Sequence, residues 1–163
     1  MSRIDRFKKA QASSHAGYEI ALSEIRNGRK RSHWIWYVFP QLVGLGSSSM
    51  ARTYGIEGIE EAAEVLQDHE LRSRFSTIAQ AVLEQLESER KPALRDVMGS
   101  EIDAQKLVSS FTLFGHVAKK LNAMTPSREY ESIARTAEDT LAIAESQGYR
   151  ACARTLRHLE QSA

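Results

Sequence analysis

The sequence predicts an all-α protein, a single compact domain of six to eight helices with no substantial sheet. Apolar residues recur at three- and four-residue steps along most of the chain, and no segment alternates with period two for long enough to demand a strand. Residues that start and stop helices stand between the apolar stretches. The length of 163 residues is usual for one domain, and no repeat or interdomain linker is visible. We therefore expect one helical domain over residues 1–163.

The first helix is expected over residues 5–27. Asp5 can cap its N-terminus, and apolar side chains follow at helical spacing from Phe7 onward. Asn27 and Gly28 are expected to end the helix, because both residue types tolerate the left-handed conformation that closes many helices.

The middle of the chain predicts three further helices. One covers residues 59–66, and a second follows Asp68, whose carboxylate is expected to cap it. Ser100 and Asp103 resemble a capping box, with Asp in place of the usual Glu, and they open a third helix that carries apolar residues as far as Leu121.

The C-terminal part predicts two more helices. Thr125 is expected to cap one of them, with Pro126 at its first position, where a missing N–H costs nothing. Gly148 is expected to end that helix, and residues 149–160 form the last one. Cys152 is the single cysteine, so it has no disulfide partner within the chain, and its apolar surroundings predict a small core residue rather than a nucleophile.

Residues 33–39 are bulky and uncharged, a pattern compatible with a buried strand or a short buried helix. We favour the helix, because no partner strand is visible. Ser32 stands at its cap position, and Pro40 is expected to end it by disfavouring helical geometry at Phe39.

The charges are balanced overall but unevenly spread. Lys and Arg number 22 and Asp and Glu number 21, a net charge of +1 that argues against a dedicated nucleic-acid-binding protein. Residues 1–31 nevertheless carry a net charge of +5, and residues 57–70 carry −6. We interpret these two segments as solvated helix faces. The alternative is a basic patch for an anionic partner, which for RNA would give steeply salt-dependent binding.

The N-terminus has no apolar core of the kind that a secretory signal needs, and no run of about 18 apolar residues offers a membrane span. We therefore expect a cytoplasmic protein without a membrane partner.

The most unusual stretch is GRKRSHWIWYVFPQLVGLG, residues 28–46, in which basic residues run directly into aromatic ones. We call residues 29–48 the basic–aromatic segment. A helix that begins beside Lys30 and Arg31 would offer unpaired N–H groups and positive charge to a phosphate or a carboxylate. Trp34 or Trp36 could stack on a flat ligand. The alternative is that these aromatic residues fill the core, where they contribute strongly to stability.

A second candidate is the stretch over residues 103–112, which we call the facing segment. Asp103 and Lys106 lie one helical turn apart, and several hydroxyl side chains follow. These groups could line one wall of a pocket. The alternative is an ion pair between Asp103 and Lys106, with hydroxyls bonded back to their own helix.

Motifs for other chemistry are absent from the sequence. The five histidines show no metal-ligand spacing with each other or with the cysteine, and no glycine-rich phosphate loop or nucleophile elbow occurs. We expect neither a metal site nor a cofactor.

Three blocks of sequence carry a family resemblance: Arg6-Phe7 with Ala10-Gln11, the stretch GRKRSHWIWYVFPQLVGLGSSSMARTYGI, and DAQKLVSSFTLF from Asp103. Together they resemble the bacterial domain-of-unknown-function family 1810, whose members are often labelled calpastatin. Calpastatin proper is disordered, whereas this composition is globular, so the label is a misnomer here.

The resemblance implies an all-helical domain with no established activity. The positions that match its motifs are Lys30, Ser32, His33, Trp34, Trp36, Phe39, Pro40, Gln41, Gly44, Gly46, Ser48, Tyr54, Asp103, Lys106, Ser109, Thr112 and Phe114. The chain departs from the family pattern at residues 68–75, which lack a proline and a glycine, and it matches poorly from about residue 120.

Two functional hypotheses follow. In the first, a pocket between the basic–aromatic segment and the facing segment binds a small anionic, nucleotide-like ligand, with His33 as the candidate acid–base catalyst. Its candidate ligand-binding residues are Lys30, Arg31, His33, Trp34, Trp36, Gln41, Ser48, Asp103 and Lys106. In the alternative, the protein is a protein-interaction module or a structural homo-oligomer with no small-molecule site.

Overall fold

Ten helices and no strand form the regular structure of residues 1–162, which are the residues that the computed structural model describes. They are α1 (Asp5–Gln11), α2 (Tyr18–Arg26), α3 (Ile35–Val38), α4 (Ser49–Tyr54), α5 (Ile59–Gln67), α6 (His69–Glu87), α7 (Leu94–Met98), α8 (Glu101–Met124), α9 (Arg128–Ser146) and α10 (Ala153–Gln161). A single bridge between Leu42 and Ile56 is the extent of β pairing in this part of the chain. The all-α class is confirmed, and the last residue of the predicted domain, 163, lies outside the described residues.

The prediction of six to eight helices was too low for two reasons. Short helices such as α4 and α7 occupy stretches that show no clear periodicity, since they have only 6 and 5 residues. The expected helix over residues 5–27 is also two helices, α1 and α2. The chain turns between them at Ala16, which has a φ of +52°. Gly17 closes the turn, because a Cβ atom there would lie 2.1 Å from the carbonyl oxygen of Ser13.

Several predicted helix ends are confirmed. The Asp68 carboxylate accepts a hydrogen bond from the N–H of Leu71 at the start of α6. Ser100 caps α8 in the same way, by accepting from the N–H of Asp103. Gly28 adopts the expected left-handed conformation just after α2, with a φ of +98°. These local signals depend only on neighbouring residues, which is why the sequence reveals them.

Other predicted ends were wrong. Asp5 is the first residue of α1 rather than its cap, and its carboxylate accepts from the N–H of Ser2. Ser127 rather than Thr125 caps α9. The last helix starts at Ala153, not at residue 149, and residues 149–152 before it are non-helical. Cys152 is therefore the cap residue of this helix and only partly buried, not a core residue within it.

The core is built around α8, which packs against α5, α7, α9 and α10. Phe111 and Phe114 of this helix are fully buried and meet Phe39 and Phe75. The ring centroids of Phe39 and Phe111 lie 5.4 Å apart in an edge-to-face arrangement, a favoured geometry for aromatic pairs. The end of the basic–aromatic segment is therefore anchored in the centre of the core.

The basic N-terminal segment and the acidic segment over residues 57–70 neutralise each other within the molecule. Arg3 contacts Glu64 at 2.8 Å, and Arg6 contacts the buried carboxylate of Glu61 at 2.7 Å. Lys8 pairs with Asp68 at 2.6 Å. These contacts join α1 and the residues before it to α5 and α6. Because these side chains pair within the molecule, fewer of their charges are available to an external partner than if the two segments were separate solvated helix faces.

No helix within residues 1–162 is both long enough and apolar enough to cross a membrane.

Candidate functional site

The basic–aromatic segment begins as a loop and contains only one turn of helix before Pro40. The favoured short helix is present as α3, but it begins at Ile35, with Trp34 at the cap position. Ser32 does not cap it, since its hydroxyl donates to Glu24 at 2.5 Å. The predicted helix start beside the cations is therefore wrong.

The N–H groups of the loop before α3 bind a carboxylate that belongs to the chain itself. Glu24, in the last part of α2, accepts from the backbone N–H groups of Arg31 and Ser32 at 2.9 Å each. It also accepts from the indole N–H of Trp34 at 2.8 Å. Burial alone would raise the pKa of Glu24, but the bonds from Ser32, Arg31 and Trp34 outweigh it and lower the pKa to about 2. The segment does bind an anion, and that anion is Glu24.

Lys30 is neutralised in a similar way. Its side chain is buried, and its ammonium lies 2.7 Å from a carboxylate oxygen of Asp103 in the first turn of α8. The same ammonium donates to the carbonyl of Ser32 at 2.5 Å and lies 4.9 Å from the ring centre of Trp34. The two predicted segments thus meet, but this contact is an internal ion pair. Removing one partner of such a pair leaves a buried charge uncompensated.

Most of the aromatic side chains in this segment belong to the core. Trp34 is fully buried and packs against Phe39, with ring centroids 5.9 Å apart. Tyr37 is also buried, its hydroxyl donates to the carbonyl of Ala16 at 2.6 Å, and burial raises its pKa. These three residues fill the core, as the alternative interpretation predicted, and neither face of the Trp34 ring is exposed to solvent.

Trp36 differs from the other aromatic residues, since it is only half-buried. The Lys106 ammonium lies 5.2 Å from the centre of its ring, and the indole N–H is buried without a hydrogen-bond partner among the described residues. No carboxylate of residues 1–162 lies within 4.0 Å of Lys106, so the alternative ion pair with Asp103 does not form. Arg31 and His33, just before α3, are exposed.

Gln41 and Ser48 have local structural roles. The Ser48 hydroxyl caps α4 by accepting from the N–H of Ala51 at 3.1 Å. The Gln41 carbonyl accepts from the N–H of Ile56 at 2.8 Å, beside the single β bridge. In the facing segment, the hydroxyls of Ser109 and Thr112 bond back to carbonyls of α8, as the alternative interpretation predicted.

None of the nine candidate ligand-binding residues lines the main cavities of the described surface, although the facing segment contributes Ser109 to one and Thr112 to another. One cavity of about 440 Å³ lies between α8, α9 and α10 and is lined by Phe111, Leu141 and Leu156 among others. Another, of about 320 Å³, lies between α10 and the loops around Val43 and Glu57. Among residues 1–162, no group of three or more His, Cys, Asp or Glu side chains could hold a metal ion.

Two features of the site have no counterpart in the sequence motifs. Glu24 lies outside the basic–aromatic segment. The one sequence signal for its role is its position one helical turn before Gly28, from which its side chain could reach residues 31–34. The pairing of Lys30 with Asp103 joins residues far apart in sequence, and it depends on how α8 packs.

The comparisons agree with the sequence resemblance. Residues 1–141 match the family described as "Protein of unknown function (DUF1810)". This match extends past residue 120, where we expected agreement to fade, and stops before α10. The crystal structure of the conserved hypothetical protein Rv1873 from Mycobacterium tuberculosis is 34% identical and covers 94% of each chain, with a TM-score of 0.75. No curated protein matches the chain. The chain belongs to the DUF1810 family of proteins of unknown function.

Proposed function

We propose that this protein binds a small anionic, nucleotide-like ligand at an open surface formed by Arg31, His33, Trp36 and Lys106. We call these four residues the Trp36 surface. Within residues 1–162 these four side chains make no hydrogen bond or ion pair with another group, and Trp36 and Lys106 contact each other. The observation that carries the proposal is Lys106, a cation that lies 5.2 Å from the Trp36 ring centre and has no carboxylate partner within residues 1–162.

The Trp36 ring and the Lys106 ammonium suit the two parts of such a ligand. The partly exposed side chain of Trp36 offers an apolar surface to a base, and base stacking on an aromatic side chain contributes about 1–3 kcal/mol per base. A lysine ammonium is a common partner for phosphate.

Arg31 and His33 are exposed and precede α3 in the chain, and Arg31 adds a second cation to the proposed surface. The guanidinium of Arg31 can hold a phosphate or a carboxylate through two parallel hydrogen bonds. His33 is the candidate acid–base group, since histidine is the side chain that exchanges protons most readily near neutral pH. Lys30, Trp34 and Asp103 then act as support, because they hold the loop and α8 together beneath this surface.

A protein partner or a second copy of the chain is the other candidate. The observation in its favour is that the marked cavities lie elsewhere, so the Trp36 surface is open rather than enclosed. Exposed Trp and Arg side chains are enriched at protein interfaces. Sedimentation of the purified protein over a range of concentrations tests self-association at this surface, with Trp36→Ala as the variant that should abolish it.

Calorimetric titration with AMP, ADP, ADP-ribose and inorganic phosphate tests the ligand proposal. A ligand present at 100 times its dissociation constant should also stabilise the fold by about 2.7 kcal/mol. We expect binding of at least one nucleotide by the parent protein, and weakening of about tenfold in Lys106→Gln, which removes the charge over the ring.

Lys120→Gln is the matched control, because Lys120 is an exposed lysine on the same helix. Equal weakening of binding in Lys106→Gln and Lys120→Gln would indicate a general charge effect and would contradict the proposal, as would unchanged binding by Lys106→Gln. Absence of binding by every compound in the parent would favour the protein-interaction alternative.

A further inference from the structure

The cavity between α8, α9 and α10 forms a second site, separate from the Trp36 surface. Its volume of about 440 Å³ lies within the range of small-molecule sites in proteins. No residue of the Trp36 surface lines it. A ligand of this cavity would therefore bind without contacting the residues proposed above.

Apolar side chains of three helices form the body of the cavity. Phe111 of α8 is completely buried, Leu141 of α9 is partly buried, and Leu156 of α10 is 42% exposed. Ala134 and Ala142 of α9 also line the cavity, and their short side chains leave the space open. A small molecule that covered these apolar groups would remove them from water, which favours binding.

Four titratable side chains complete the lining: His116 and Lys119 of α8, and Glu138 and Glu145 of α9. Within residues 1–162, none of these four side chains makes an ion pair or a hydrogen bond. Burial and the nearby ammonium groups of Lys120 and Lys119 lower the pKa of His116, so its ring is neutral near pH 7. The lining then carries two carboxylates and one ammonium, an excess of negative charge.

The helix geometry places the single ammonium at one end of the cavity. A short turn joins α8 to α9 and the two helices pack along their lengths, so they run antiparallel. Gly115 lies opposite Ala137, since a Cβ atom on Gly115 would lie 2.9 Å from the Ala137 Cβ. At 1.5 Å per residue, Lys119 and Glu145 are then about 18 Å apart along the helix axes, with Glu138 between them. Lys119 therefore does not neutralise the Glu145 end.

We propose that this cavity binds a small hydrophobic amine, with its apolar body against Phe111, Leu141 and Leu156 and its ammonium beside Glu145. The size is sufficient, because a cavity of about 150 Å³ already holds benzene, so this one has room for an indole with a short aminoalkyl chain. The charge of the lining selects the amine, because a carboxylate on the same body would meet the repulsion of Glu138 and Glu145.

Two indole compounds of opposite charge test this selectivity. Tryptamine and indole-3-propionate share the apolar body, so a difference in affinity reports on the charge. Calorimetric titrations of the full chain at low ionic strength should show binding of tryptamine and about tenfold weaker binding of indole-3-propionate. Equal or tighter binding of the propionate, or no binding of tryptamine at millimolar concentration, would overturn the proposal.

Variants of α9 locate the bound amine. Glu145→Gln should weaken tryptamine binding about fivefold, since a partly solvated ion pair contributes up to about 1 kcal/mol. Asp139→Asn is the matched control, because Asp139 is an exposed carboxylate of the same helix that does not line the cavity. Equal effects of the two variants would show that the amine responds only to the overall charge, and the proposal would fail.

Ala142→Leu tests the apolar part of the site. The exposed position and the high helix propensity of leucine should keep the fold intact, while the larger side chain fills part of the cavity. We expect both indole compounds to bind at least tenfold more weakly, and unchanged affinity for tryptamine would contradict binding in this cavity. The proposal is independent of ligand binding at the Trp36 surface, and Lys106→Gln should leave tryptamine binding unchanged.

Discussion

Glu24 provides the most quantitative prediction, because the structure gives both its partners and its pKa. The variant Glu24→Gln keeps the length of the side chain and leaves one oxygen to accept from Arg31, Ser32 and Trp34. It removes the negative charge that makes those hydrogen bonds strong. The expected result is a loss of folding stability at neutral pH without a change in secondary structure.

The size of this loss follows from the pKa of Glu24. Its folded value of about 2 lies below the ordinary 4.5, and the difference corresponds to about 3 kcal/mol. Glu24 is partly exposed, and screening by solvent reduces the expected loss to about 2 kcal/mol. Because the folded pKa is the lower one, this stabilisation is fully present above about pH 5 and is lost as the pH falls toward about 2.

Urea unfolding monitored by tryptophan fluorescence measures this effect at several pH values. We expect Glu24→Gln to be about 2 kcal/mol less stable than the parent at pH 7, with the gap closing as the pH falls below about 4. Glu19→Gln is the matched control, since Glu19 is an exposed glutamate on the same helix, and it should change stability by less than about 0.5 kcal/mol. A gap of similar size at every pH, or equal effects of the two variants, would refute the reasoning.

Three further predictions concern the packing of the fold. Lys30→Met should lower the unfolding free energy by about 3 kcal/mol in urea titrations, because Asp103 loses its partner; a cost below about 1 kcal/mol would contradict a buried ion pair. Trp34→Phe should lower the unfolding free energy more than Trp36→Phe in the same assay, because Trp34 donates to a carboxylate and Trp36 does not. The reverse order would be inconsistent with the structure. Gly17→Ala should lower the melting temperature and cost about 1–3 kcal/mol, because its Cβ atom would meet the Ser13 carbonyl; an unchanged melting temperature would show that the turn adapts.

The parts of the fold that the sequence reveals are those determined by near neighbours. Asp68 and Ser100 cap the helices that follow them because a short polar side chain can reach an N–H group three residues ahead. The break between α1 and α2 was missed because apolar spacing continues across it. Gly17 was the available signal, and its importance depends on the close approach of the Ser13 carbonyl.

The site was only partly predictable for a related reason. The sequence indicated that the basic–aromatic segment and the facing segment meet, and Lys30 and Asp103 lie 2.7 Å apart. It did not reveal that the expected anion-binding groups are occupied by Glu24. That outcome depends on the path of the loop after Gly28, which tertiary packing sets. The same packing distinguishes Trp34, which is buried and bonded to Glu24, from Trp36, which is half-buried and whose indole N–H has no partner within residues 1–162.

The most direct test of the central claim uses this difference between the two tryptophans. The chain contains two indole N–H groups, so a ¹⁵N-labelled sample gives two well-separated NMR signals, and Trp36→Phe assigns them. ADP is added in increments while both signals are followed. If Glu24 occupies the N–H groups of residues 31–34 and the Trp36 surface is open to solvent, ADP moves the Trp36 signal and leaves the Trp34 signal in place. Movement of the Trp34 signal, or no movement of either, would contradict the account.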